Sequence, residues 1–182
     1  MGIRQASFGQ KPLSLIALGG RVTCVPTNVE RYWEQFLNSM PSGKRRPARY
    51  LESFAFGFTP ADAKEIAQLV LAGTKIATGS VLWASQADRK PVPIAGDFSI
   101  VTLGGDDPVC VIETTDIRTI PFDEVTADYA WDGGEGDRTL AGWREMYWKY
   151  IERECQRLAI EPNAKTPLLM ERFRVVYAAP LG

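Results

Sequence analysis

The chain has 182 residues, of which 45% are hydrophobic and 24% are charged, a composition typical of one globular domain. Lys and Arg number 21 against 22 Asp and Glu, so the net charge of -1 gives no general attraction to a polyanion. Any RNA contact must therefore use a local basic patch. The absence of histidine excludes His-based nucleophile activation and the commonest zinc ligand.

The three cysteines, Cys24, Cys110 and Cys155, are far apart and odd in number. This pattern predicts neither a zinc site nor a complete disulfide framework, and we expect no metal and no cofactor. Leu13 to Gly20 is short for a signal peptide, and no apolar run reaches the roughly 20 residues that span a bilayer. The sequence therefore predicts a soluble, cytoplasmic protein without membrane contact, and it does not indicate an oligomeric state.

The N-terminal segment, residues 1–27, shows no sustained helical or strand periodicity, so we expect an irregular or disordered extension. The folded domain is expected over residues 28–178. It begins with a helix over Val29 to Met40, which has Asn28 as its cap and apolar residues at helical spacing.

A basic segment interrupted by prolines follows this helix and cannot continue it. Such a segment is either a solvated surface loop or a contact for RNA phosphates. Its cationic residues are Lys44, Arg45, Arg46 and Arg49.

The second helix has the clearest boundaries in the sequence. Thr59 is its predicted cap, and Asp62 completes a capping box with it. Pro60 is suited to the first helical position, and Gly73 ends the helix. The next segment, Lys75 to Trp83, is richer in β-branched residues and is predicted to be extended.

The second half of the chain mixes strands with helices. Phe98 to Leu103 and Val109 to Ile117 predict a hairpin around a Gly-Gly-Asp-Asp turn. A short helix over Pro121 to Tyr129, a long helix ending near Leu158 and a final strand over Leu168 to Tyr177 follow. This order predicts an α+β domain, with a small barrel or curled sheet covered by helices.

Glu113 is a candidate functional carboxylate because it shares its strand parity with apolar neighbours that are expected to point inward. An inward carboxylate needs a partner, and Lys75, just after the second helix, is a candidate. Thr78 adds a hydroxyl that a lysine base could activate without histidine. Strict alternation would put Lys75 and Thr78 on opposite faces, so this site requires an irregular backbone. The alternatives are a purely structural Lys–Glu pair and a Glu at the barrel mouth in contact with solvent.

Aromatic side chains near strand or loop ends provide further candidates. Trp83, Trp131 and Tyr129 could stack on a base, or they could pack in the core. The glycine-rich acidic loop with Glu135 and Asp137 has too few ligands for calcium, and it is better interpreted as the entry to the long helix.

Five sequence blocks, taken in order, resemble the ASCH domain family. They cover roughly Glu30 to Tyr177 and read FGFTPADAKEIAQLVLAGTKIATGSVLW, GDFSIV, PVCVIETTDIRTIPFDEV, GEGDRTLAGWREMYWKYIERE and MERFRVVY. The resemblance implies an α+β fold, a PUA-like β-barrel flanked by helices, with a cleft that binds RNA or a nucleoside. It also implies hydrolysis, either of the amide of acetylated cytidine or of RNA.

In small amidohydrolases of this family, a Lys, a Thr and a Glu form the catalytic group. On the matching G-x-K-x-x-T and I-E-x-T patterns, they fall on Lys75, Thr78 and Glu113. The long Trp-rich helix and the GEGDR loop are similar to a larger subgroup. There, Arg138 and Trp143 either shape the cleft or lock the loop onto the barrel.

The leading hypothesis is a nucleoside or RNA hydrolase in which Thr78 attacks, Lys75 takes its proton, and Glu113 orients Lys75 or relays the proton. One alternative is a non-catalytic RNA-binding or regulatory module that uses the same cleft, and another is a small-molecule sensor. The further ligand contacts expected are Trp83, Arg138, Lys44, Arg45 and Arg46.

Overall fold

A computed structural model describes residues 15–18, 21–24, 26–41 and 48–179. The strands are β1 (Leu15–Leu18), β2 (Arg21–Cys24), β3 (Tyr50–Ala55), β4 (Ala77–Val81), β5 (Phe98–Thr102), β6 (Pro108–Pro121) and β7 (Pro167–Tyr177). The α-helices are α1 (Asn28–Ser39), α2 (Pro60–Leu71), α3 (Leu82–Ala87), α4 (Ala127–Gly133) and α5 (Leu140–Leu158). A single 3-10 turn, Phe122–Glu124, precedes α4.

Five strands form one mixed sheet in the order β3-β5-β6-β7-β4. Only β3 and β5 are parallel, and the other neighbours in this sheet are antiparallel. The sheet curls into a half-barrel with helices against it, so the predicted α+β class is confirmed. The predicted β5–β6 hairpin is also confirmed, whereas β3 was not anticipated because its pairing partner is distant in sequence.

The N-terminal segment, for which irregular structure was predicted, contains a short antiparallel hairpin. Strands β1 and β2 pair from Leu15 opposite Cys24 to Leu18 opposite Arg21. This hairpin forms a two-stranded sheet separate from the five-stranded one. The basic residues Lys44, Arg45 and Arg46 lie outside the described residues.

Capping boxes fix the starts of α1 and α2. Thr27, not Asn28, caps α1, because its hydroxyl accepts from the backbone N–H of Glu30 while Glu30 bonds back to Thr27 N–H. Thr59 and Asp62 form the predicted box at the start of α2, which confirms that prediction. These local signals define where α1 and α2 begin.

The two faces of the sheet are covered by different helices. Helix α2 covers one face, called here the α2 face, through Ile66, Val70, Phe54, Phe56, Val101, Cys110, Ile112 and Phe173. Helix α1 covers the opposite face, called the α1 face, through Tyr32, Phe36, Ile100 and Val111. A third cluster joins α3, α4 and α5 to β4 and β7, with Trp143, Tyr147, Tyr150 and Met170 among its buried members. Residues of β6 therefore meet different surroundings according to their face.

Two predicted segments differ from the structure. The extended segment expected from Lys75 to Trp83 is shorter, since β4 begins at Ala77 and gives way to helix α3 at Leu82. The helix expected over Pro121 to Tyr129 divides into the 3-10 turn and α4. In both cases, tertiary packing outweighs the weak local propensity of a short segment.

Candidate functional site: a buried Lys75–Glu135 pair near Thr78

Lys75 lies in the irregular stretch between α2 and β4. Its backbone N–H donates to the carbonyl of Leu69 at 3.0 Å, and the N–H of Ile76 donates to the carbonyl of Asp132 at 2.8 Å. These bonds tie the residue both to the end of α2 and to α4. The irregular backbone that the sequence required at this point is present, because Lys75 precedes the regular strand.

The Lys75 ammonium is buried and fully hydrogen-bonded. The side chain is 1% exposed, and its Nζ donates to the carbonyls of Ala77 at 3.0 Å and Gly133 at 3.2 Å. The third bond joins Nζ to Oε1 of Glu135 at 2.7 Å. An ammonium has three N–H donors, and three oxygen acceptors are in place. Phe56 lies beside it, with its ring centroid 5.2 Å from Nζ.

Glu135 supplies the carboxylate from the loop between α4 and α5. Its side chain is 7% exposed. Burial by itself would raise the pKa of Glu135, but the charge and hydrogen bond of Lys75 bring that pKa below its ordinary value. The carboxylate is therefore ionised at neutral pH, and the two side chains form a buried ion pair.

Gly134 brings this loop against the backbone of Lys75. It has φ +73°, and a Cβ added there would lie 2.5 Å from the carbonyl oxygen of Thr74 and 2.8 Å from the Cα of Lys75. A side chain at this position would clash with backbone atoms. The close approach therefore requires glycine, and it sets the position of Glu135.

Thr78 lies on β4, 3% exposed, and is linked to Tyr147 of α5. The Tyr147 hydroxyl forms hydrogen bonds with the Thr78 side chain and with the backbone of Gly79. Burial raises the pKa of Tyr147 far above its ordinary value, and the nearby charge of Glu135 acts in the same direction. Tyr147 is thus a neutral phenol that lies close to both Thr78 and Glu135.

Glu113 is not brought together with Lys75 and Thr78. Its Oε2 accepts from Arg174 Nη2 at 2.7 Å and from Nε at 3.0 Å. It lies opposite Phe98 on the α1 face, whereas the next residue, Thr114, lies opposite Phe173 of the α2 face. Of the apolar residues that share its strand parity, Val111 is buried and Val109 and Ile117 are half-buried, and parity could not identify which covered face was which.

Sequence reasoning missed Glu171, which is 3% exposed on β7. Its Oε1 accepts from Thr114 Oγ1 at 2.7 Å, and its register partner on β4 is Thr78. The signal was available, because Glu171 alternates in step with Leu169 and Phe173 of the final strand. Glu135 was also missed as the partner of Lys75, since the loop was interpreted chiefly as the entry to the long helix.

A groove of about 290 Å³ lies on the α1 face, on the opposite side of the sheet from Lys75. It is lined by Phe36, Ser39, Met40, Pro41, Phe98, Glu113 and Val176. Its lining is largely apolar, with Ser39 and Glu113 as its polar members. Arg49, the described member of the predicted basic segment, lies 3.4 Å from Asp97 in an ion pair.

The predicted aromatic and arginine contacts have structural partners. Trp83 lies in α3, partly buried against the α5 cluster. The Arg138 guanidinium lies 3.7 Å from the ring centroid of Trp131, and its Nε donates to the Trp131 carbonyl at 3.0 Å. These contacts fasten the Glu135 loop to α4. Tyr129 is buried under the guanidinium of Arg172.

The described residues contain no group of three or more Cys, Asp or Glu side chains that could hold a metal ion. Among the helices that the structure describes, none is long and apolar enough to cross a membrane.

The curled mixed sheet with helices on both faces is a PUA-like α+β domain. The chain belongs to the ASCH domain family, which matches residues 52–177. The ASCH domain from Lactobacillus crispatus JV V101 has a crystal structure that is 30% identical, with a TM-score of 0.77, over 82% of this chain and 94% of that one. A protein from Enterococcus faecalis V583 is 26% identical, with a TM-score of 0.69, over 82% and 88% of the two chains. No curated protein matched the chain.

Proposed function

We propose that this ASCH domain binds RNA or a nucleoside in the half-barrel and hydrolyses the amide of an acetylated cytidine-type nucleoside at the Lys75 site. The single observation that carries the proposal is the buried ion pair of Lys75 and Glu135, which Tyr147 connects to the hydroxyl of Thr78. Buried, charged groups around a nucleophile of this type are characteristic of functional sites. The family membership supports the same class of ligand.

In this proposal, Glu135 takes the role that the sequence had suggested for Glu113. It holds the amine of Lys75 through the 2.7 Å contact and is itself positioned by the Gly134 turn. Glu113 contacts Arg174 on the other face and has no part in the reaction. The nucleophile and base assignments remain with Thr78 and Lys75.

The ion pair sets a requirement on the mechanism. Lys75 can accept the proton of Thr78 only as a neutral amine, so its own proton must first pass to Glu135. Thr78 Oγ then attacks the amide carbonyl, the C–N bond breaks, and the leaving amine takes a proton from Glu135 or Lys75. Water then hydrolyses the acetyl ester on the Thr78 oxygen, which releases acetate and restores the hydroxyl.

The test is to incubate the purified protein with acetylated cytidine, and separately with single-stranded RNA, and to follow acetate and RNA fragments by chromatography. We expect acetate release that is abolished in Thr78→Val and strongly reduced in Glu135→Gln. Glu113→Gln is the matched control and should retain turnover. Absence of turnover of both substrates by the unmodified protein would refute the hydrolase.

One observation favours a second candidate, a non-catalytic RNA-binding module. The three hydrogen bonds of the Lys75 ammonium are those expected of a structural clamp between β4 and the Glu135 loop. This candidate uses the basic residues Lys44, Arg45 and Arg46 on RNA phosphates. It predicts RNA binding that weakens with salt, and a smaller salt dependence when these three residues become Ala, with Lys149→Ala as the control. Binding that does not respond to salt would contradict it.

A further inference from the structure

A stripe of buried polar side chains crosses the α2 face of the sheet, and the mechanism above uses only one end of it. Four adjacent strands contribute one member each: Ser99 on β5, Thr114 on β6, Glu171 on β7 and Thr78 on β4. Their exposures are 1%, 2%, 3% and 3%. We call this set the polar stripe.

The strand register places the four members side by side. Ser99 lies opposite Ile112, two residues before Thr114 on the same strand and face. Thr114 lies opposite Phe173, two residues after Glu171. Glu171 in turn lies opposite Thr78. Because alternate residues of a strand share a face, the stripe is continuous from Ser99 to Thr78.

The inner part of the stripe is hydrogen-bonded, but its β5 end is not. Thr114 Oγ1 donates to Glu171 Oε1 at 2.7 Å. In the part of the chain that the structure describes, the buried Oγ of Ser99 has no hydrogen-bond partner. A buried hydroxyl without a partner lowers the stability of the fold, so an alanine would be more favourable at this position if only the fold mattered.

Two neighbours of Ser99 on the same face are apolar. Val101, two residues along the same strand, and Ile112, directly opposite, are both buried apolar residues of the α2 face. These two neighbours offer the Ser99 hydroxyl no side-chain hydrogen bond. An uncompensated polar atom in such a place is a candidate ligand contact.

We propose that the polar stripe recognises a nucleobase edge that carries both hydrogen-bond donors and acceptors, with Ser99 as a direct contact. This inference rests on the proposed function, since it identifies the part of the ligand that lies away from Thr78. A hydroxyl can donate or accept, and the Glu171 carboxylate accepts from N–H groups. The carboxylate repels a phosphate, so the stripe suits the base and not the backbone of a nucleotide.

The test compares Ser99→Ala with the unmodified protein in calorimetric binding of cytidine, acetylated cytidine and inorganic phosphate. We expect the nucleosides to bind roughly threefold to tenfold more weakly to Ser99→Ala, the effect of one lost hydrogen bond. Phosphate should bind to neither. The melting temperature of Ser99→Ala should be equal or higher, because the substitution breaks no side-chain hydrogen bond among the described residues.

The matched control is Thr166→Val, which removes a buried hydroxyl that does have a partner. Thr166 is 0% exposed, and its Oγ1 accepts from the backbone of Asn163 at 3.1 Å. This variant should show the reverse pattern, with lower stability and unchanged nucleoside binding.

The outcomes separate the two proposals. If the unmodified protein binds both nucleosides and Ser99→Ala binds them equally well, the inference about the stripe is overturned while the proposed function stands. A fall in the stability of Ser99→Ala would also overturn it, because Ser99 would then have a structural partner. If the unmodified protein binds neither the nucleosides nor RNA, the proposed function itself fails.

Discussion

The ammonium of Lys75 lies 2.7 Å from Oε1 of Glu135, although the two residues are 60 positions apart in the chain. Both side chains are withdrawn from water, at 1% and 7% exposure. Removing two charges from water is costly, and their mutual attraction offsets that cost only while both are present. The pair therefore links the start of β4 to the α4–α5 loop, and each charged side chain is stable in its buried position only while the other is present.

Removing one member of this pair should destabilise the fold strongly. We expect Glu135→Gln to lower the free energy of unfolding by about 3 kcal/mol, because a buried ammonium loses its counter-charge. Guanidinium denaturation followed by tryptophan fluorescence measures this change. The double variant with Lys75→Met should lose less than the sum of the single losses. Strictly additive losses would contradict the coupling.

The exposed pair of Lys149 and Glu145 on α5 is the control for this experiment. Their atoms are 2.8 Å apart, a separation close to that of the buried pair, but the side chains are 63% and 74% exposed. Glu145→Gln should leave the denaturation midpoint unchanged, because solvent screens such a pair.

The same carboxylate makes stability depend on pH in a definite direction. The pKa of Glu135 is below its ordinary value of 4.5 in the folded protein. The carboxyl of Glu135 thus binds a proton less readily in the folded state than in the unfolded state. The contribution of Glu135 to the stability of the fold is therefore complete above pH 4.5, and it is lost as the pH falls through the lower pKa of the folded state. Denaturation midpoints recorded from neutral pH to about pH 3 should fall less steeply in Glu135→Gln than in the unmodified protein. Equal slopes would show that another carboxylate dominates.

Two glycines of the same loop should respond very differently to alanine. Gly136 has φ +58° and no neighbour within 4 Å of an added Cβ, so Gly136→Ala should cost only about 1 kcal/mol for the left-handed backbone. Gly134→Ala adds a contact of 2.5 Å with the carbonyl of Thr74, so its loss of stability should be clearly larger. It should also reduce turnover, because Glu135 moves away from Lys75. Thermal unfolding and the acetate assay measure both effects, and equal losses in the two variants would contradict this account.

The position of Glu113 predicts a small effect at the surface. Its partner Arg174 is 66% exposed, and Glu113 itself is 21% exposed. Glu113→Gln should therefore change the free energy of unfolding by less than about 1 kcal/mol. Nucleoside binding, measured by calorimetry, should stay the same. A loss of acetate release equal to that of Glu135→Gln would place Glu113 in the site after all.

Local signals were sufficient for several elements. The capping box of Thr59 and Asp62 and the proline at the first helical position predicted α2 correctly. The Gly-Gly-Asp-Asp turn predicted the β5–β6 hairpin, and the alternation of Leu168 to Tyr177 predicted β7. These signals work because capping and turn formation depend on residues that are neighbours in sequence.

Local signals did not identify which side chains contact the site residues. Lys75 and Thr78 were identified as candidates from sequence, but the carboxylate near them was not. Helices cover both faces of the sheet, so strand parity alone could not tell one buried face from the other. The register also shifts between Thr114 and Asp116, which parity does not anticipate. Glu113 therefore pairs with Arg174, and Glu171 lies on the face of Thr78.

The sequence by itself determined the start of α2, the central hairpin and the resemblance to ASCH domains, since each depends on short-range patterns. Only the tertiary structure decided that Lys75 meets Glu135 and that Ser99, Thr114, Glu171 and Thr78 form one stripe. The physical reason is that cross-strand register and loop docking join distant residues, and a shift of one residue moves a side chain to the opposite face.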